Sequence, residues 1–257
     1  MTRYLAAQNS DTLVYRNQTV RSVGFGIPAM NYSMLSPLNH SGYSLSFHSS
    51  RFSEKPKHLT RFQIHSELGL LYNSANDSYI TTLRFNGSWS RHLYITDSKR
   101  PLRLLLGGGI DTGVDIYLKE DNTNNPLAYF FNLSLSPGIL IKYRFDIQKT
   151  RFELGQQIYI PVGSLVSSSD YSTILPHGFI EKEANFFDAI RAVSFGSLKK
   201  CMTVTSLDII PPLERRQKYP VFRISYMFSG MKYSNGDFMI KSADHVILFG
   251  TIFHLFR

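Results

Sequence analysis

From Leu127 to Phe145 the chain alternates between two unlike faces. The odd positions are Leu127, Tyr129, Phe131, Leu133, Leu135, Pro137, Ile139, Ile141, Tyr143 and Phe145. The even positions are mixed and mostly small or polar: Ala128, Phe130, Asn132, Ser134, Ser136, Gly138, Leu140, Lys142 and Arg144. Successive side chains of a strand point to opposite sides, so this alternation predicts a β-strand with one apolar face. It holds phase for nearly twenty residues, where ordinary strands run to about six.

The same period recurs elsewhere. Phe62, Ile64, Leu68, Leu70 and Tyr72 oppose Arg61, Gln63, His65 and Glu67. Tyr79, Leu83, Phe85, Trp89 and Leu93 oppose Thr82, Arg84, Asn86, Ser88, Ser90 and His92. From Leu102 an even apolar set faces away from Arg103, Asp111, Asp115 and Lys119. Further on, Phe152, Leu154, Ile158 and Ile160 oppose Arg151, Glu153 and Gln157, and Phe222, Ile224, Tyr226 and Phe228 oppose Arg223. Turn-rich connections such as SEKPK, NSAND, DSKRP, IQKT and YSNGD separate the segments. About ten strands result, near 20–31, 42–52, 59–72, 78–95, 101–118, 126–147, 150–162, 191–210, 218–230 and 243–257. The first, eighth and last have the weakest alternation.

Two features leave alternatives. Ser136-Pro137-Gly138 could turn a hairpin, but segment 101–118 is equally long, which favours one tall hairpin with a bulge or kink at Pro137-Gly138. A long loop is expected over about 163–190, where EKEANFFDAIRA could form a short helix. Neither an internal repeat nor a dividing linker is visible, so 20–257 reads as a single domain. Residues 1–19 form an N-terminal segment in which Leu5-Ala6-Ala7 resembles the tail of a secretory signal, a candidate remnant that suggests export.

Composition narrows the classes. The single cysteine, Cys201, cannot form an internal disulfide, and no Cys/His spacing suggests a metal site. The net charge of +9 comes from residues scattered singly through strands and turns. With no recognisable motif behind it, nucleic acid is not an expected partner. No apolar run approaches the roughly 20 residues of a membrane helix, but a membrane strand needs only about 9–11.

Alternation alone would also suit a soluble β-sandwich or small barrel with its apolar face inside, binding an apolar ligand. Long strands, aromatics near the segment ends, and connections that alternate between short and longer favour a different class. In these respects residues 20–257 resemble the bacterial outer-membrane β-barrels: all-β, antiparallel, up-and-down, with about ten strands. FGTIFHLFR has the apolar, aromatic character of such a barrel's last strand, although Arg257 stands where an aromatic is common. The resemblance implies an outer-membrane location, both termini on the periplasmic side, and contact with outer-membrane lipid and lipopolysaccharide. Other envelope proteins would be further partners.

On that reading the polar set lines the lumen: Arg61, His65, Glu67, Arg84, Asp111, Asp115, Lys142, Arg144, Arg151, Glu153 and Arg223. A barrel of about ten strands has little more interior than side chains can fill, so opposite charges should pair across it and plug it. Asp111, Asp115, His65 and Glu67 could instead activate water. His40, His92 and Asp244-His245 fall near the expected strand ends and read as surface polar residues. The omptin proteases are also ten-stranded and use an Asp–His couple, but the adjacency of Asp244 and His245 does not fit that spacing. The glycines at 107–109 lack the Lys-Ser/Thr of a phosphate loop and more simply permit close packing or a bend. No catalytic set, metal site or cofactor is assigned. The leading expectation is a barrel acting as a scaffold, surface receptor or complex subunit, in whose long loop Phe179, Phe186 and Phe187 form either a mini-core or a docking patch. A lipid- or lipopolysaccharide-modifying enzyme is the alternative.

Overall fold

Strand pairing joins the two ends of the chain. In the computed structural model, which describes residues 16–33, 35–75, 77–119, 127–170, 173–176, 190–212, 220–235 and 238–255, β1 (Arg16–Tyr32) pairs with β13 (Phe238–Leu255). It pairs on its other edge with β2 (Ser36–Glu54). The wall continues antiparallel through β3 (His58–Asn73), β4 (Ser78–Tyr94), β5 (Leu102–Leu118) and β6 (Leu127–Ile147). β7 (Thr150–Tyr159), β11 (Leu198–Ile210) and β12 (Val221–Asn235) complete the circuit back to β13. Ten strands close into a barrel: β7 joins β6 to β11 through the lower part of the circuit, and above Met202 the described residues of β11 pair with β12 alone.

Three short strands extend it. β8 (Gly163–Asp170) prolongs β7 along the upper half of β6, β10 (Arg191–Ser194) pairs with β8 in the direction of β11, and β9 (Thr173–Pro176) pairs with β8. The expected long loop therefore loses its first eight residues to the wall. The anticipated helix, with Phe179, Phe186 and Phe187, lies outside the described residues.

The bulge sits across from where it was expected. β6 is continuous through Pro137-Gly138. Leu135 faces Gly163 and Gly138 faces Tyr159, so three residues of the partner stand opposite two of β6. The extra residue lies around Pro161, which has no N–H to give the ladder. Gly138 is needed for another reason: the Tyr159 ring occupies the space a Cβ would take.

One row of cross-strand partners fixes the geometry. It runs Arg16, Glu54, Leu59, His92, Gly107, Gly138, Tyr159, Met202, Ser229, Asp244 and returns to β1 at Pro28, twelve residues above its start. Ten strands with that stagger tilt by about 40° to the axis, at roughly 3.3 Å per residue and 4.8 Å per strand.

The apolar face is outside. Phe25, Tyr43, Leu68, Trp89, Ile110, Leu135, Phe222 and Phe249 are exposed, while Arg61, Glu67, Arg84, Arg103 and Asp115 are buried. A soluble sandwich with an apolar core is thereby overturned. Along β1 the outward residues between Arg21 and Asn31 are Val23, Phe25, Ile27 and Ala29, a band of about 25 Å at this tilt, matching a membrane barrel's apolar height. No described helix is long and apolar enough to cross a membrane.

The expected asymmetry of the connections holds only in part: the longest, 160–197 between β7 and β11, and the eight residues between β5 and β6 do lie at the end away from the termini. At the end away from the termini, β1–β2 and β12–β13 are joined by three and two residues, because the strands run further than their alternation indicated. At the terminal end, 95–101 and 211–220 are longer than these.

Candidate functional site in the lumen

The lumen is layered. Beyond the upper edge of the apolar band, inward residues of several strands converge on an apolar plug of Tyr32, Tyr117, Phe130, Tyr233, Leu71 and Ile80 with their neighbours. Tyr117 meets Tyr32 edge-on at 5.2 Å between ring centroids, and Phe130 meets Tyr233 at 5.4 Å. Phe130, Tyr117 and Leu71 are wholly inaccessible to solvent. Towards the termini a second apolar group, including Val20, Phe52, Leu59, Leu105 and Leu140, shares its level with ion pairs.

Between these layers lies a chamber bounded on one side by Met202 and Met227 and on the other by His48, His65, Glu67, Asp111 and Ser136. Its ionic groups are compensated. Arg84 on β4 hydrogen-bonds Asp244 on β13 and lies 3.6 Å from Glu67 on β3. Lys200 on β11 donates to Asp111 at 2.7 Å and to Asn132 at 3.0 Å. Ser136 also donates to Asp111, and the Tyr117 hydroxyl donates to Asp115 at 3.2 Å. Arg84 Nη2 and Asp244 Oδ1 have no hydrogen-bond partner among the described residues, which leaves hydrogen-bonding capacity inside the chamber.

The lower layer is equally paired. Arg103 bridges Glu54 at 3.2 Å and Glu153 at 2.6 Å, and Lys142 and Arg144 approach Glu153 at 3.4 and 3.2 Å. Arg223 grips Asp208 through two bonds of 2.5 and 2.6 Å, a bidentate geometry that strengthens the pair. The Phe52 ring lies between two guanidinium groups, Arg61 at 4.7 Å and Arg223 at 5.3 Å. Arg61 also donates to Gln157.

Ten of the eleven polar residues expected in the lumen lie there; Arg151 does not. It stands at the barrel mouth beside the β6–β7 turn, paired at 3.0 Å with Asp146 and 42% exposed. Asp111 and Asp115 do not act as a carboxylate pair, since one is held by Lys200 and the other by Tyr117. His65 lies 3.6 Å from Glu67, and Ser46 donates to that same carboxylate rather than to an imidazole. The hydroxyl thus faces a carboxylate, a weaker base than imidazole, and the His65 ring does not stand between Ser46 and Glu67 as it would in a Ser–His–acid relay. Among the described residues no group of three or more His, Cys, Asp or Glu could hold a metal.

The expected surface histidines are corrected in part. His40 is buried and bonded to Ser78 at 2.8 Å, and His92 is fully buried with its ring 5.7 Å from that of Tyr159. Asp244 faces the lumen, whereas His245 faces out and meets the Tyr226 hydroxyl at 2.6 Å. Neighbours on opposite faces of a strand cannot act as a couple.

Several lumen groups were not anticipated: Glu54, Lys200, Asp208 and Asp244. Lys200 and Asp208 sit on β11, whose outward face carries Thr203 and Thr205 and whose inward face carries Met202 and Val204. Its hydropathy is locally reversed, so alternation does not assign its faces. The plug did leave a readable trace, in consecutive apolar residues such as Leu70-Leu71, Tyr79-Ile80 and Ile116-Tyr117 at the upper ends of strands.

A closed ten-stranded wall with an apolar exterior and a charged interior defines a β-barrel of the bacterial outer-membrane type. The chain belongs to the family described as "Protein of unknown function (DUF3316)", which it matches over residues 1–257. Among solved structures it is similar to the outer membrane protease OmpT from Escherichia coli, with a TM-score of 0.58 at 8% identity, covering 95% of this chain and 99% of that one. The translocator domain of the autotransporter NalP from Neisseria meningitidis matches with a TM-score of 0.48 at 7% identity, covering 98% and 93%. No curated protein matches the chain. At such identities the likeness is one of fold.

Proposed function

We propose that this chain resides in the outer membrane with both termini at the periplasmic face, and that it acts through its surface as a scaffold, receptor or complex subunit. The observation that carries the reading is the lumen, blocked by the Tyr32–Tyr117–Phe130–Tyr233 plug above a charge-paired chamber. An aqueous pore needs a continuous wet path, and the plug interrupts it with fully buried aromatic rings. The test is conductance of the purified protein in a planar lipid bilayer. A silent bilayer with protein shown to be inserted is expected. Stable ohmic steps would overturn the closed-barrel reading.

A lipid-modifying enzyme draws support from the chamber itself, where His65 and Glu67 approach each other. Asp111→Asn and His65→Ala should then abolish a covalent lipid change in purified membranes while the barrel stays folded. No such change with the wild-type chain retires this alternative.

A further inference from the structure

The outer wall carries a second charged array, unrelated to the lumen. Lys199, Lys232 and Lys241 are direct cross-strand partners on β11, β12 and β13. Each points outward and is exposed. Cβ atoms of such partners lie about 5 Å apart, where like charges repel. No ion pair relieves them among the described residues, in contrast to the lumen cations. The sheet therefore holds three adjacent ammonium groups that no ion pair among the described residues neutralises.

Their height is informative. Lys241 pairs with Asn31, which marks the upper edge of the apolar band, and Arg21 marks the lower edge about 25 Å below. From Asn31 the row descends by about 3 Å per strand through β13, β12 and β11, so the lysine Cα atoms stand about 3, 6 and 9 Å below that edge and their flexible side chains reach up to the same interface. Below them the next outward row is Cys201, Gly230 and Ala243. The Phe228 ring packs against Gly230 in this row, so the wall beneath the lysines is apolar and filled.

We propose that this row binds the phosphates of lipopolysaccharide, with its acyl chains lying against the apolar wall beneath. The proposal rests on the reading above that places the termini at the periplasmic face, which puts the lysines in the outer leaflet. Three lysines across two strand spacings cover about 10 Å, too wide for a single phosphodiester and suited to a disaccharide headgroup phosphorylated at both ends. Anionic charge at an interface is attracted by clustered lysines, and each one adds to the effect.

The test uses the full chain folded in phosphatidylcholine vesicles doped with diphosphorylated lipid A, its dephosphorylated form, or phosphatidylglycerol at equal charge. The readout is the temperature at which the folded band on a gel converts to the unfolded one. Lipid A should raise it by several degrees, and the dephosphorylated form should not. A triple K199Q/K232Q/K241Q variant should need at least tenfold more lipid A for the same shift, while Arg21→Gln, at the opposite edge, should respond like wild type. A triple variant that responds normally, or phosphatidylglycerol reproducing the full shift, overturns the proposal. Orientation is read separately on intact cells by labelling Lys241→Cys in a Cys201→Ser background with a membrane-impermeant maleimide. Labelling supports the outer-leaflet placement. Protection of a chain that still responds to lipid A in vesicles overturns lipopolysaccharide as the source and leaves the phosphate site standing, so the two failures are distinguishable.

Discussion

Lys199 and Lys200 are neighbours in the chain and opposites in the fold. Lys200 points into the chamber and meets Asp111 at 2.7 Å and Asn132 at 3.0 Å. Lys199 points outward beside Lys232, with no ion pair among the described residues. An ammonium group inside a low-dielectric lumen is costly unless it is paired, so the interior was built with its acids in place. At the membrane surface water and mobile lipid can supply the compensation, and a row of like charges persists there. The same residue type thus serves packing on one face and recognition on the other.

The sharpest break in this comparison is expected at Arg84. Arg84→Ala leaves Glu67 and Asp244 buried without a cation, and losing one partner of a buried pair costs about 3–5 kcal/mol. Urea unfolding in vesicles, followed through Trp89, should show that loss. Trp89 is the chain's one tryptophan and is 48% exposed on the outer wall, so its emission reports contact with lipid.

Phe130→Ala should cost about 3 kcal/mol by opening a cavity in the plug. It should also let small ions pass in bilayer recordings if the plug is the barrier; unchanged silence together with the stability loss would shift the blockage to the chamber. Lys200→Met removes the cation beside Asp111 but leaves the Ser136 bond, so its penalty should be smaller than that of Arg84→Ala in the same assay. Lys232→Gln should leave stability in plain phosphatidylcholine unchanged or slightly raised, because it removes two like-charge contacts. A marked destabilisation would mean that the lysine row is structural.

Much of this fold was legible as period-two alternation. Each of the ten expected strands has a counterpart in the closed wall, and the inward set from Arg61 to Arg223 was readable, Arg151 excepted, because each strand shows its two faces separately. The strand ends were less legible. β1, β2 and β13 continue past their clean alternation into residues such as Ser36, His40 and Met239, which are held by pairing rather than by hydropathy. The loop-length asymmetry broke down at β1–β2 and β12–β13 for the same reason.

By itself the sequence determined that the chain forms long two-faced strands and which residues share a face on most of them, because side-chain direction in a strand depends only on position parity. It could not determine partners. That Arg84 meets Asp244, 160 residues away, and that three lysines from three strands form one row, follow from closure and its stagger of twelve residues. Register is a property of the whole circuit: each strand's offset is set by its neighbours, and the last pairing, β1 with β13, is possible only when all the others agree.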